Sequence, residues 1–238
     1  MIAACAWGAA SADASVVING TRVIYPSDER EVTIKVTNEG NLPALVQTWL
    51  DDGDTRSLPQ DTKAPFTIAP PLFRLDSKKG QTLRVLYTQE PLATDKETLF
   101  WLNVLEVPPR NADADRNLLQ FAFRSRIKFI FRPAGLPGSA RDAPAQVTWK
   151  FVHSDSGGYA LQAANPTPYH VTFTKISAVA GASRWTNERG GMVVPGATAE
   201  FDIGAAAPSS DEPAEVDYTF LDDYGAAVSG RYQSRASH

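Results

Sequence analysis

Arg124, Arg126, Lys128 and Arg132 lie on one parity of the segment LLQFAFRSRIKFIFR, residues 118–132, and Leu119, Phe121, Phe123, Ile127, Phe129 and Phe131 lie on the other. Side chains of period two stand on opposite faces of an extended chain, so the segment predicts a β-strand with one apolar and one cationic face. Fixed cations suit anions, and a carboxylate's two oxygens match the planar fork of an Arg. Arg124, Arg126 and Lys128 with interleaved Phe could also suit single-stranded nucleic acid, but the net charge of -4 opposes that reading. At about 3.3 Å per residue the run would reach roughly 50 Å, against about 17–20 Å for an ordinary strand. Part of it should therefore project past its own sheet. An apolar row on unpaired backbone is an aggregation hazard, and its retention points to pairing with another chain.

Catalytic signals are weak by comparison. Ser154-Asp155-Ser156-Gly157-Gly158 is similar to the nucleophile string of trypsin-like proteases, yet no matching His or Asp motif accompanies it, and a hairpin turn explains it better. His153, His170 and His238 lack metal-ligand spacing. Neither a G-x-S-x-G nor a phosphate-binding glycine pattern occurs. The expectation is a binding protein, not an enzyme, with no cofactor, metal or nucleotide; a hydrolase using Ser156 is a minor alternative.

The elements that must position these residues are short strands. Val16–Ile18, Val32–Val36, Ala44–Leu50, Thr82–Tyr87 and Thr98–Val107 alternate or are β-branched, and Gly, Pro, Asn and Asp punctuate them. Residues 132–146, RPAGLPGSARDAPAQ, form a Pro- and Gly-rich junction. Strand patterns resume at Val147–Val152, Tyr159–Ala163, Val171–Ile176, Ala199–Ile203 and Val216–Phe220. Two all-β sandwiches follow, residues 15–133 and 146–238, joined by an elbow at 134–145. Residues 1–14 begin with the small, apolar MIAACAWGAASA and read as the remnant of an export signal cut after Ala12 or Ala14. That cut removes Cys5, the only cysteine, so packed cores and not disulfides must hold the mature chain together. No apolar run is long enough to span a membrane.

Several strings together resemble the periplasmic chaperones of the chaperone-usher pathway, which assemble pili. The most specific is DKETLFWLNVLEVPP, residues 95–109. It is supported by TRVIYP at 21–26, PPLFRL at 70–75, QTLRV at 81–85, RIKFIFRP at 126–133, NPTPYHVT at 165–172 and DYGA at 223–226. The resemblance runs in family order over most of the chain. It implies two immunoglobulin-like domains in a boomerang, and a function of binding fimbrial subunits by donor-strand complementation, a form of strand addition, before delivery to an outer-membrane usher.

By the same resemblance Arg22 and Lys128 anchor the subunit's C-terminal carboxylate. Leu119, Phe121 and Phe123 act as donor-strand knobs, and Glu97, Arg132 and Asp223 form an interdomain ion network, with Asp222 a competitor for the last place. The short loop between Val107 and Leu118, PPRNADADRN, resembles chaperones of rod-like pili. Arg and Lys suit a carboxylate without the analogy, since a planar fork and a compact charge fix one point from which the register beyond is set. Strict alternation puts Lys128 and Phe123 on opposite faces, so either the strand bulges between them or the two contact different walls. The expected partners are pilin subunits and an usher, with no nucleic acid, no nucleotide and no membrane insertion. The competing reading is a structural or adhesive protein of a surface fibre. One departure from the family is the absence of cysteine in the second domain, where many members carry a disulfide.

Overall fold

The structure, a computed structural model, describes residues 15–109, 121–154, 157–205, 208 and 210–234. The first half contains β1 (Val16–Ile18), β2 (Arg22–Pro26), β3 (Glu31–Asn38), β4 (Ala44–Asp51), β5 (Phe66–Ala69), β6 (Leu72–Leu75), β7 (Gly80–Tyr87), β8 (Thr98–Val107) and β9 (Phe123–Arg132). The second contains β10 (Thr148–His153), β11 (Tyr159–Ala164), β12 (Val171–Ala180), β13 (Ser183–Asn187), β14 (Gly191–Val193), β15 (Thr198–Gly204), β16 (Glu215–Leu221) and β17 (Ala227–Gln233). Each half is a sandwich: β1-β3-β7-β5 faces β2-β9-β8-β4-β6, and β10-β11-β15 faces β13-β12-β16-β17, with β14 also paired to β12.

Alternation explains both cores. Ile34, Val36, Leu83 and Val85 of one sheet meet Val46, Leu50, Leu102 and Val104 of the other, while the intervening side chains face outward. Phe66, Phe129, Phe131 and the fully buried Tyr25 add an aromatic cluster, with ring centroids of Tyr25 and Phe66 5.4 Å apart. The Tyr25 hydroxyl reaches the Arg30 carbonyl at 3.0 Å and the Tyr87 N–H at 3.2 Å, so its one polar atom is satisfied. The second core gathers Trp149, Leu161, Phe173, Ile176, Phe201 and Tyr218. Each such side chain contributes roughly 1.5–3 kcal/mol on burial, and two cores of this size support domains without disulfides.

Strand β2 was not among the strands expected from periodicity. It lies parallel to β9 at the sheet edge, and its last residue is Pro26, which an edge tolerates because no ladder partner there needs its N–H. The elbow is also more structured than a bare linker. Its end forms the short helix α1 (Ala143–Gln146), Ala143 is fully buried in the second core, and Leu136 and Ala140 pack on the same core. Tyr169 OH donates to the Gly138 carbonyl at 3.1 Å and pins the turn from the other side. No helix among the described residues is long and apolar enough to cross a membrane.

The described part of the long strand starts at Phe123, not at Leu118. Phe121 and Ala122 precede it in irregular conformation, and Leu119 lies outside the described residues, as do Cys5 and Ser156. From Phe123 to Phe131 the pairing with β8 is unbroken, running from Glu106↔Phe123 to Thr98↔Phe131. No bulge intervenes, so Lys128 and Phe123 stand on opposite faces of one pleat and must address different walls.

Candidate functional site

Parallel pairing of β2 with β9 sets Arg22 directly beside Lys128. Residues opposite each other on neighbouring strands share a face, and here it is the outer face, because the next pair, Val23 and Phe129, packs on the core. Both cations reach the second domain. Arg22 Nη1 donates to the Leu221 carbonyl at 3.2 Å, and Lys128 Nζ to Thr172 Oγ1 at 2.9 Å. Among the described residues neither has a carboxylate within ion-pair distance, and Arg22 Nε is buried with no hydrogen-bond partner. Burial, and then the neighbouring Arg22, push the Lys128 ammonium down to about 8. Burial also lowers Arg22, against the opposing field of Asp223, Asp222 and Glu97. Two desolvated cations with neutral partners make a seat for an anion.

The same sheet face carries a second cationic group with a different fate. Asp51, whose side chain is 1% exposed, takes an ion pair from Arg126, an Asn103 Nδ2–H at 2.7 Å and the Gly53 N–H at 2.7 Å. Burial pushes its carboxyl up, but the bonds from Arg126, Asn103 and Gly53 outweigh that and leave it below the usual range. Arg124 donates to Asn103 Oδ1 at 2.6 and 2.8 Å and to the Thr55 carbonyl at 2.8 Å. Its guanidinium lies 4.8 Å from the Trp49 ring centroid, and that of Arg126 lies 4.4 Å from Trp101. These arginines are spent inside the domain.

Glu97, Arg132 and Asp223 come into contact across the domain boundary. Arg132 Nε donates to Glu97 Oε1 at 2.7 Å, and its two terminal nitrogens grip Asp223 at 2.7 and 2.8 Å. Burial alone would lower this guanidinium, and the Asp223 and Glu97 bonds reverse the shift upward. Glu97 also accepts the His170 N–H at 2.6 Å, with His170 Nδ1 at 3.0 Å, so one carboxylate just ahead of β8 ties Arg132 of its own domain to His170 of the other. Asp222 is occupied elsewhere: its Oδ1 accepts the Tyr224 and Ala226 N–H groups at 2.9 and 2.8 Å. This capped turn aims Asp223 at Arg132. Gly225 closes it with φ of +81°, and a Cβ there would lie 2.2 Å from Thr21 Oγ1, so the approach of the two domains requires glycine. A cavity of about 230 Å³ opens beside the network, lined by Arg22, Ile130, Phe220 and Leu221 among others.

Of the remaining site residues, Phe121 is 53% exposed, and Phe123 is half-buried opposite Glu106. Sequence reasoning passed over Thr172, His170, Asp51 and Asn103. The signal for the last two was present: Trp49 and Asp51, like Trp101 and Asn103, share a strand parity, and the basic row of β9 needed a counter-charge on its neighbours. Thr172 and His170 act across the elbow, and no local pattern reports that.

The sequence profile described as "Pili and flagellar-assembly chaperone, PapD N-terminal domain" matches residues 15–137, and that of "Pili assembly chaperone PapD, C-terminal domain" matches 142–232. The chain is similar to the probable fimbrial chaperone YadV of Escherichia coli strain K12, at 39% identity over 95% of this chain and 92% of that protein. It is similar to the chaperone protein MrkB of Klebsiella pneumoniae, at 42% identity over 90% of this chain and 89% of the other. The crystal structure of the YadV chaperone superposes with a TM-score of 0.78, at 38% identity over 93% of this chain and all of that one. A Salmonella enterica SafB chaperone, solved in complex with the SafA pilin, gives 0.74 at 29% identity, with 94% and 99% of the two chains covered. With both profiles matched in order over the two sandwiches, the chain belongs to the PapD-like pilus-assembly chaperones, a family of two-domain binding proteins and not of enzymes.

Proposed function

We propose that this chain is a periplasmic chaperone that captures fibre subunits by donor-strand complementation and hands them to an outer-membrane usher. The observation that carries the reading is the Arg22–Lys128 pair: adjacent, partly desolvated, aimed at the cleft, and without a carboxylate partner among the described residues. A subunit's C-terminal carboxylate supplies the missing charge and fixes register. From that point the subunit pairs along β9 toward its start, where Phe121 and Phe123, preceded by Leu119, fill an incomplete sandwich. Burial of each knob contributes roughly 1.5–3 kcal/mol before ordering costs. The short loop after Val107 in the sequence supports a role with rod-like pili. Glu97, Arg132 and Asp223 hold the angle between the domains, which keeps the anchor and the donor segment in a constant relation. The relative solved with a pilin supports a subunit as partner.

The test is co-expression with a subunit, comparing this chain with its Phe121→Glu variant. The wild type should give a one-to-one complex, and the variant should lose it while keeping its denaturant midpoint, because the cost of burying the new charge arises only in the complex. Polymers of this chain alone would favour the fibre-protein reading. A loss of several kcal/mol in the free variant would place Phe121 in the chaperone's own core.

A further inference from the structure

Glu106 is a further buried carboxylate of the first sandwich, and its surroundings differ from those of Asp51 and Glu97. It projects from β8 and is only 7% exposed. Its Oε2 accepts the N–H of Ser15 at 2.9 Å and that of Val16 at 2.9 Å, and its Oε1 accepts the Ser15 hydroxyl. No ion pair among the described residues includes it. A buried carboxylate surrounded by neutral donors retains an uncompensated charge, which is costly unless a cation joins it.

The seat around Ser15 is closely built. The Ser15 carbonyl accepts the Glu39 N–H at 2.7 Å, and Val16 pairs with Asn38 to begin β1. A Cβ on Gly40 would lie 2.5 Å from the Ser15 Cβ, so the seat depends on glycine opposite the serine. The sequence immediately before it, Ala12-Asp13-Ala14, has the small-x-small pattern that export peptidases cut.

We infer that Glu106 is the receptor for the α-ammonium group of Ser15, and that the bond processed on export is Ala14–Ser15. Hydrolysis of that bond by the export peptidase consumes one water: the hydroxyl completes the Ala14 carboxyl, one proton goes to the Ser15 nitrogen, and a further proton from solvent makes it ammonium. The new cation arises on the atom that already stands 2.9 Å from Glu106 Oε2. Processing thereby converts a neutral hydrogen bond into a charge-assisted one and locks the edge strand β1 onto the sandwich. Removal of the signal would then be coupled to completion of the fold.

Intact mass of the protein exported from the full-length precursor should show a chain starting at Ser15; a start at Asp13 would overturn the inference. The chain beginning at Ser15 is next compared with the same chain bearing a Gly-Gly extension, each with Glu106 and with Glu106→Gln. The extension should raise the unfolding equilibrium constant about tenfold with Glu106 and leave the Gln background unchanged, since a hydrogen bond to a charged group is the stronger kind. Equal losses in both backgrounds would refute the pairing. Should the Gln chain fail to fold, amine labelling of the wild type decides: the Ser15 amine should react at least about tenfold more slowly than in the unfolded chain, the protection a bond of that strength confers, and full reactivity would overturn the assignment.

Discussion

Two pairs of cations stand on one face of one sheet, and their surroundings part them. Arg124 and Arg126 lie over Trp49 and Trp101 and share the buried Asp51 and its neighbour Asn103, so their charge is partly offset inside the domain. Lys128, further along the same strand, and Arg22, beside it on β2, meet among the described residues only a carbonyl and a hydroxyl from the other domain. The first pair stabilises the structure that exists. The second is desolvated with no counter-ion among the described residues, a state that favours capture of an anion from outside. A basic row is therefore not one functional unit: what separates anchor from scaffold is whether the fold supplies the carboxylate.

The comparison breaks most visibly at Asp51. Asp51→Ala leaves Arg126 and Arg124 without their shared acid and should destabilise the free protein by about 3–5 kcal/mol, read as a shift in the denaturant midpoint. A change below about 1 kcal/mol would place this pair with ordinary surface charges. The mirror experiment is Arg22→Ala or Lys128→Ala. Either should cost about 2–5 kcal/mol of subunit binding, measured by titration with purified subunit, while the free midpoint stays within about 1 kcal/mol. Unchanged binding would remove the anchor role.

A pH series sharpens the distinction further. Lys128 titrates near 8 in the free chain, against 10.5 for an ordinary lysine. A bound carboxylate requires the protonated form, so affinity should fall as pH rises above about 8, by up to roughly tenfold per unit. The fold responds with opposite sign: between 8 and 10.5 the unfolded chain holds the proton more tightly than the native one, so the cost of the buried charge is relieved and stability rises slightly. Lys128→Arg should flatten both curves, because guanidinium keeps its proton throughout. A wild-type affinity independent of pH from 7 to 10 would show that Lys128 does not face the carboxylate.

Much of the architecture was legible because period two is a local property. Eleven of the strands were visible as alternating or β-branched runs, among them Val16–Ile18 and Thr98–Val107 with the observed ends. Strand β2 was not, since RVIYP has no alternation of its own and is ordered by parallel pairing with β9. The elbow was legible as a break in pattern, but not as a segment half absorbed into the second core.

For the site, the residue types and their parity were readable from the chain: a cationic face, an apolar face, and Lys128 opposed to Phe123. The family resemblance supplied which charges to consider together. Only the tertiary structure decided their partners, because ion pairing acts between side chains that the sequence holds far apart. Asp51 meets Arg126 across two strand pairings, Glu97 meets His170 across the elbow, and Asp223 instead of Asp222 meets Arg132 because a capped turn leaves it free to do so. Burial is likewise a property of the folded chain. Arg22 and Lys128 differ little in sequence from Arg124 and Arg126, and what sets them apart is desolvation in the cleft with no carboxylate at ion-pair distance among the described residues.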